Sequence, residues 1–140
     1  MTSANLFALL QSRFPEDPDA VFLECPDLEN RAGGVLTYGE ADVLSARMAA
    51  TLRGMGVVPG ERVVVQVDKS AQAVALYLAC LRVGAIYIPL NTAYTAAELN
   101  YFLGDAEPRV LVCQPSQEQA LRALAEGCGV AHVLCLDPNG

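Results

Sequence analysis

Residues 81–99 read LRVGAIYIPLNTAYTAAEL. Three pieces of backbone chemistry meet there. Ala85 to Leu90 is an apolar run with β-branched and aromatic side chains, and it reads as a strand. Gly84, free to take a positive φ, ends the helix in front of it. Behind it, Thr95-Ala-Ala-Glu98 forms a capping box: the hydroxyl accepts from an orphan amide and the carboxylate returns to the threonine N–H. Helix, strand, turn and helix in that order is the pattern of an α/β chain. A strand entered from one helix and left into another pairs in parallel with its neighbours. The turn carries Asn91, Thr92 and Tyr94, so the junction is either a ligand site or a structural corner, and corner is the expectation.

The same alternation extends in both directions. Upstream, Pro59-Gly60 makes a turn, Val63 to Val67 reads as a strand, and Ser70 caps a helix over 71–83. That helix is apolar nearly all round, so it should be buried on more than one side. Downstream, a helix over about 96–103 should stop at Gly104, and PRVLVC (108–113) is a third strand. Ser116-Gln-Glu-Gln119 offers another capping box, with a helix over about 117–126 and a fourth strand in AHVLCL (131–136). Thr37-Tyr-Gly-Glu40 is a third box, opening a helix over about 38–53 with Ala41, Leu44, Met48 and Leu52 on one stripe. Before it lie a helix near 3–12 and a two-stranded element from AVFLEC (20–25) and GGVLT (33–37).

The expected fold is therefore α/β: the N-terminal half of a doubly wound, mainly parallel sheet with helices on both faces. Residues 1–36 or so form the helix and hairpin, and about 37–140 the β/α layer. The last strand has no closing helix after it, so the layer is expected to continue in a longer polypeptide.

Composition narrows the function. The chain has 140 residues, 53% apolar and 18% charged, with a net charge of −7. Lys69 is the single lysine and the eight arginines are scattered, so no basic patch invites nucleic acid. The longest apolar run, Ala73 to Leu81, falls far short of the roughly 20 residues that span a bilayer. The start, MTSANLFALLQSRFPED, lacks the basic, long-apolar pattern of a signal peptide. Five cysteines, at 25, 80, 113, 128 and 135, form no C-x-x-C and are odd in number. They read as buried free thiols in a reducing compartment, and the expected location is cytoplasmic.

No motif assembles a catalytic centre. Gly54, Gly56 and Gly60 have the wrong spacing for a dinucleotide loop and stand between a helix and a strand, the reverse of a phosphate loop. Neither G-x-x-x-x-G-K-[ST] nor G-x-S-x-G occurs. Asp68-Lys69-Ser70 sits where a strand gives way to a helix, a place that attracts anions, but Asp68 offsets the lysine. His132 reads as a packed or surface residue, and a lone histidine argues against zinc. Tyr38, Tyr77, Tyr87, Tyr94 and Tyr101 read as packing residues. No residue is assigned to catalysis, cofactor binding or metal ligation.

LTYGEAD (36–42), GMGVVPGERVVV (54–65) and LYLACLRVGAIYIPLNTAYTAAELNYFLGDAEPRVLVC (76–113) stand in the order and spacing of the adenylate-forming enzymes. These are the acyl-CoA synthetases, luciferases and peptide-synthetase adenylation domains. The chain resembles their N-terminal portion, and NTAYTAAELNYFLGDAEP (91–108) is most similar to malonyl-CoA synthetases. The resemblance implies a parent reaction in which ATP and a carboxylate give an acyl-adenylate and pyrophosphate, and coenzyme A then displaces AMP. ATP, Mg²⁺, coenzyme A and a small carboxylate, malonate first, are thus implied for the parent, and the remainder of the synthetase chain is the implied partner. In the family the phosphate loop, ribose carboxylate, acyl pocket and C-terminal lysine lie downstream, so none is carried onto residues 1–140, and this portion is expected to be scaffold, inactive alone. The alternatives are another superfamily member (a fatty- or aryl-acid CoA ligase, or a peptide-synthetase adenylation domain) and a free-standing interaction module.

Overall fold

The computed structural model describes residues 5–26 and 34–138. A short helix, α1 (Leu6–Gln11), precedes an antiparallel pair, β1 (Val21–Cys25) and β2 (Gly34–Thr37). The expected helix start at residues 3 and 4 and the first residue of GGVLT lie outside the described residues. Then come α2 (Tyr38–Gly54), β3 (Arg62–Gln66), α3 (Ala71–Val83), β4 (Ile86–Pro89) and α4 (Ala96–Ala106). β5 (Val110–Cys113), α5 (Glu118–Gly127) and β6 (His132–Cys135) complete the chain.

The last four strands form one parallel sheet in the order β4-β3-β5-β6. Its two faces are covered separately. Val63, Val65, Val110 and Val112 pack against Ala49 and Leu52 of α2 and Leu76, Ala79 and Cys80 of α3. Val64, Leu111 and Cys113 pack against Leu99 and Leu103 of α4 and Leu121 and Ala125 of α5. Alternate residues of one strand thus serve opposite cores, which explains the unbroken apolar run Val63–Val65. Each buried valine or leucine contributes about 1.5–3 kcal/mol.

Thr37 and Thr95 form the expected capping boxes on α2 and α4. Ser70 caps α3, accepting from the Ala73 amide at 3.1 Å. Gly84 ends α3 with φ at 80°. Arg82, near the end of α3, ties three helices together. Its guanidinium lies 3.8 Å from the Phe7 ring centroid, Nε donates to Ser45 Oγ at 3.0 Å, and Nη2 pairs with the Asp42 carboxylate. Phe14, Phe22 and Tyr38 pack edge to face and anchor the hairpin to the start of α2.

Three expectations are corrected. Helix α4 does not stop at Gly104; it runs on to Ala106 and ends at Glu107 with φ at 45°. A helical glycine costs only about 1 kcal/mol, and burial of Leu103 with Phe102 and Ala106 packed on the same core outweighs it. The Ser116 capping box does not form. Pro115 starts a single 3₁₀ turn, Pro115–Gln117, and α5 follows with no side-chain cap. Cys135 is exposed rather than buried, because β6 is an edge strand with a neighbour on one side only.

Candidate functional site

From β3 the chain goes by way of α3 to β4 on one side, then returns by way of α4 to set β5 on the other side of β3. Strand order therefore reverses at the β3–β5 boundary. In open α/β sheets, ligands gather beyond the carboxyl ends of strands at such a reversal. Three groups of residues stand at that edge.

The first is the corner inside residues 81–99. Gln66, at the end of β3, is 1% exposed. Its Nε2 donates to the Asn91 carbonyl at 2.8 Å, while its Oε1 has no partner among the described residues. The same Asn91 carbonyl accepts from the Tyr94 amide at 3.1 Å, and Asn91 Oδ1 accepts from the Ala93 amide at 2.9 Å. Asn91 thus fixes the turn through its backbone and an Asx-type bond. Sequence reading missed Gln66: a glutamine closing a valine run carries no local signal, and its partner lies 25 positions away.

The second is a groove of about 570 Å³ between the hairpin, α3 and β4. Leu23, Cys25, Ala73, Val74, Tyr77 and Tyr87 give it carbon walls, and Lys69 and Ser70 stand at the start of α3. The Tyr77 and Tyr87 rings meet at 5.4 Å, edge to face, and desolvation raises the Tyr87 hydroxyl pKa. Asp68 and Lys69 are exposed. The groove supplies apolar surface, a cation and a helix start, which suits holding a chain more than breaking a bond.

The third is a row of side chains at the ends of β5 and β6. The Cys113 thiol donates to the Leu134 carbonyl at 3.5 Å, and Cys135 stands near enough to Cys113 and to Glu118 on α5 for their ionisation to be coupled. Arg122 holds the same carboxylate at 2.7 Å. Burial pushes the Cys113 thiol up to about 12, with neighbouring Cys135 adding to it. Desolvation and the bond to Glu118 raise Cys135 as well. Glu118 is held below the usual carboxylate range, first by Arg122 and then by the thiol. Sequence reading took these cysteines one at a time; parallel pairing of their strands was the signal that joins them.

The remaining residues disperse. His132 opens β6 opposite Val110, at the far end of the strand from Cys135. Gly56 (φ 79°) and Gly60 (φ 87°) form the turn before β3, at the amino edge of the sheet. Tyr94 stacks on Phe102 at 5.2 Å, whereas Tyr101 is 68% exposed. Among the described residues, no group of three His, Cys, Asp or Glu is placed to hold a metal ion.

A family profile described as AMP-binding enzyme matches residues 10–140. A probable CoA ligase, CCL9, of Humulus lupulus is 32% identical over 76% of this chain and 22% of its own length. A linear gramicidin synthase of Brevibacillus parabrevis is 31% identical over 92% of this chain and 2% of its own. Among solved structures, MatB from Rhodopseudomonas palustris, known in apo and ATP-bound forms, superposes with a TM-score of 0.84 at 41% identity. That match covers 96% of this chain and 25% of MatB, so the chain spans about a quarter of MatB's length, and less of the gramicidin synthase.

Proposed function

This chain belongs to the AMP-binding enzyme family, matching the N-terminal region of adenylate-forming enzymes, and from that membership we propose that it is the N-terminal portion of an ATP-dependent acyl-CoA synthetase. The acid we assign is malonate. In the parent reaction, malonate and ATP form malonyl-adenylate and pyrophosphate, and the thiol of coenzyme A then displaces AMP. The observation that carries the reading is the 41% identity to MatB maintained over 96% of the chain, with a relative solved in an ATP-bound state.

The role of these residues in that reaction is scaffolding. The two-faced core of β3 to β6 holds the corner at Asn91 and offers the apolar groove and the sheet edges to the rest of the synthetase. ATP, Mg²⁺ and coenzyme A are held by that remainder, and no chemical step is assigned to the residues described. The chain alone is inactive. We also assign a cytoplasmic location, supported by five cysteines that are all free.

The test is a domain exchange. This chain replaces the matching N-terminal quarter of MatB, and ATP-dependent CoA-thioester formation is followed across a panel of acids. A scaffold leaves the acid preference of intact MatB unchanged, and the isolated chain makes no thioester. A preference that moves with the exchanged segment, or thioester formation by the chain alone, overturns the reading. A second reading, a peptide-synthetase adenylation domain, has the gramicidin synthase similarity behind it. Joined to its own remaining sequence, the chain would then activate an amino acid and reject malonate in pyrophosphate exchange.

A further inference from the structure

Cys113 closes β5, Cys135 closes β6, and the two are register partners in a parallel pair. Residues two apart on a strand share a face. Both cysteines therefore leave the sheet on the side where Leu111 and Val133 meet α4 and α5. Neighbouring strands stand about 4.8 Å apart, inside the roughly 4.4–6.8 Å range of Cα separations that a disulfide spans. The two thiols also influence each other's ionisation, as close neighbours do. Their access to solvent differs: Cys113 is fully buried, whereas Cys135 is exposed on the edge strand. A dissolved oxidant meets Cys135 first and finds the second thiol waiting behind it.

We infer that Cys113 and Cys135 form a two-thiol oxidation site, closed by peroxide into a disulfide that staples edge strand β6 to β5. The Cys135 sulfur attacks one peroxide oxygen. The O–O bond breaks, water leaves, and Cys135 becomes a sulfenic acid. The Cys113 sulfur then attacks the Cys135 sulfur, the S–O bond breaks, and a second water carries away the oxygen and the remaining proton. Two thiols and one hydrogen peroxide give one disulfide and two waters; sulfur loses two electrons and peroxide gains them.

The character of the site follows from its surroundings. Burial holds Cys113 protonated and the Cys135 pKa is raised as well, so closure is slow, since the thiolate is the attacking form. A thiol that prefers its proton is also a poor leaving group, so the closed bridge resists small monothiols and opens with a dithiol reductant. It is a lock rather than a fast sensor.

The experiment exposes the whole chain to hydrogen peroxide, unfolds it, alkylates free thiols and reads the tryptic masses. Cys113 lies in peptide 110–122, and Cys128 and Cys135 share peptide 123–140. We expect two of the five thiols to be lost, the two peptides to appear joined, and dithiothreitol to part them. Cys128→Ala keeps the joined pair, which assigns the bridge to Cys135. Cys113→Ala leaves a Cys135 sulfenic acid that dimedone traps. A joined pair that vanishes in Cys128→Ala overturns the inference. So does wild-type protein in which Cys135 goes to sulfinic acid while Cys113 stays alkylatable, or in which both stay alkylatable; these readouts need no variant to fold.

Discussion

Gln66 holds the corner of residues 81–99 with one hydrogen bond and leaves its own carbonyl oxygen in the core without a partner among the described residues. The two facts pull in opposite directions. The bond to Asn91 contributes about 1 kcal/mol, and a buried orphan acceptor costs about 1–3 kcal/mol. Gln66→Leu keeps the volume and removes the orphan, so its unfolding free energy should stay within about 1 kcal/mol of the parent. Gln66→Ala empties the site and should lose about 2–3 kcal/mol. Urea unfolding of the pair checks this; a leucine variant weaker than the alanine one refutes it. Arg82 is the opposite case, with its guanidinium partners in place on Asp42, Ser45 and Phe7. The ion pair itself is half in water, with side-chain exposures of 18% and 41%, so the pairing alone is worth little. The fork of donors and the ring contact carry the effect. Arg82→Ala should cost about 2 kcal/mol by the same urea measurement, and Arg82→Lys should recover less than half of it, because an ammonium cannot reproduce the fork. None of Arg82's partners could be read from the chain. Ser45 lies 37 positions away, and proximity at that range is made by packing.

At the scale of elements, the caps separate local from non-local causes. Thr37 and Thr95 each accept from the amide three residues on, at 3.2 and 3.3 Å, and each receives its glutamate in return. All partners lie within one turn, so the pattern was legible in full. Ser116 carried the same local pattern and fails, since Pro115 sets the backbone into a 3₁₀ turn before the serine can act. Thermal unfolding should therefore rank the three alanine substitutions: Thr37→Ala and Thr95→Ala lose about 1 kcal/mol each, and Ser116→Ala stays within about 0.5 kcal/mol. A Ser116 effect equal to the threonine effects would contradict the structure. Helix α4 makes the complementary point. Gly104 is a plausible local stop, and only the apolar groove between sheet and α5 shows why another half-turn survives.

Across the whole molecule, two buried thiols report on the two cores. Cys80 lies on the α2/α3 face and Cys113 on the α4/α5 face. Burial lifts each from 9.0 to about 12. Between these values the unfolded chain releases protons that the folded chain keeps, so stability falls as pH rises. The contribution is fully present below pH 9.0 and is lost progressively toward about 12. The urea midpoint should therefore drop through that window. Cys80→Ala should flatten the drop relative to its own value at neutral pH, and a slope unchanged by the substitution would count against burial of that thiol. At the same scale, β4 and β6 are the outer strands of the sheet among the described residues.

The amino-acid sequence by itself determined the elements of this protein, their parallel class, both of its capping boxes and its family. Each is written in residues close together: a period of apolar positions, a hydroxyl three places before a carboxylate, a glycine at a helix end, motifs in a set order. Tertiary structure alone decided the strand order β4-β3-β5-β6, the Gln66–Asn91 corner, the Arg82 clamp and the meeting of Cys113 with Cys135. The physical reason is range. Local hydrogen bonds and hydrophobic period act within a turn or a strand, whereas the neighbours of a strand are chosen by the burial of whole faces, which no short stretch of chain encodes.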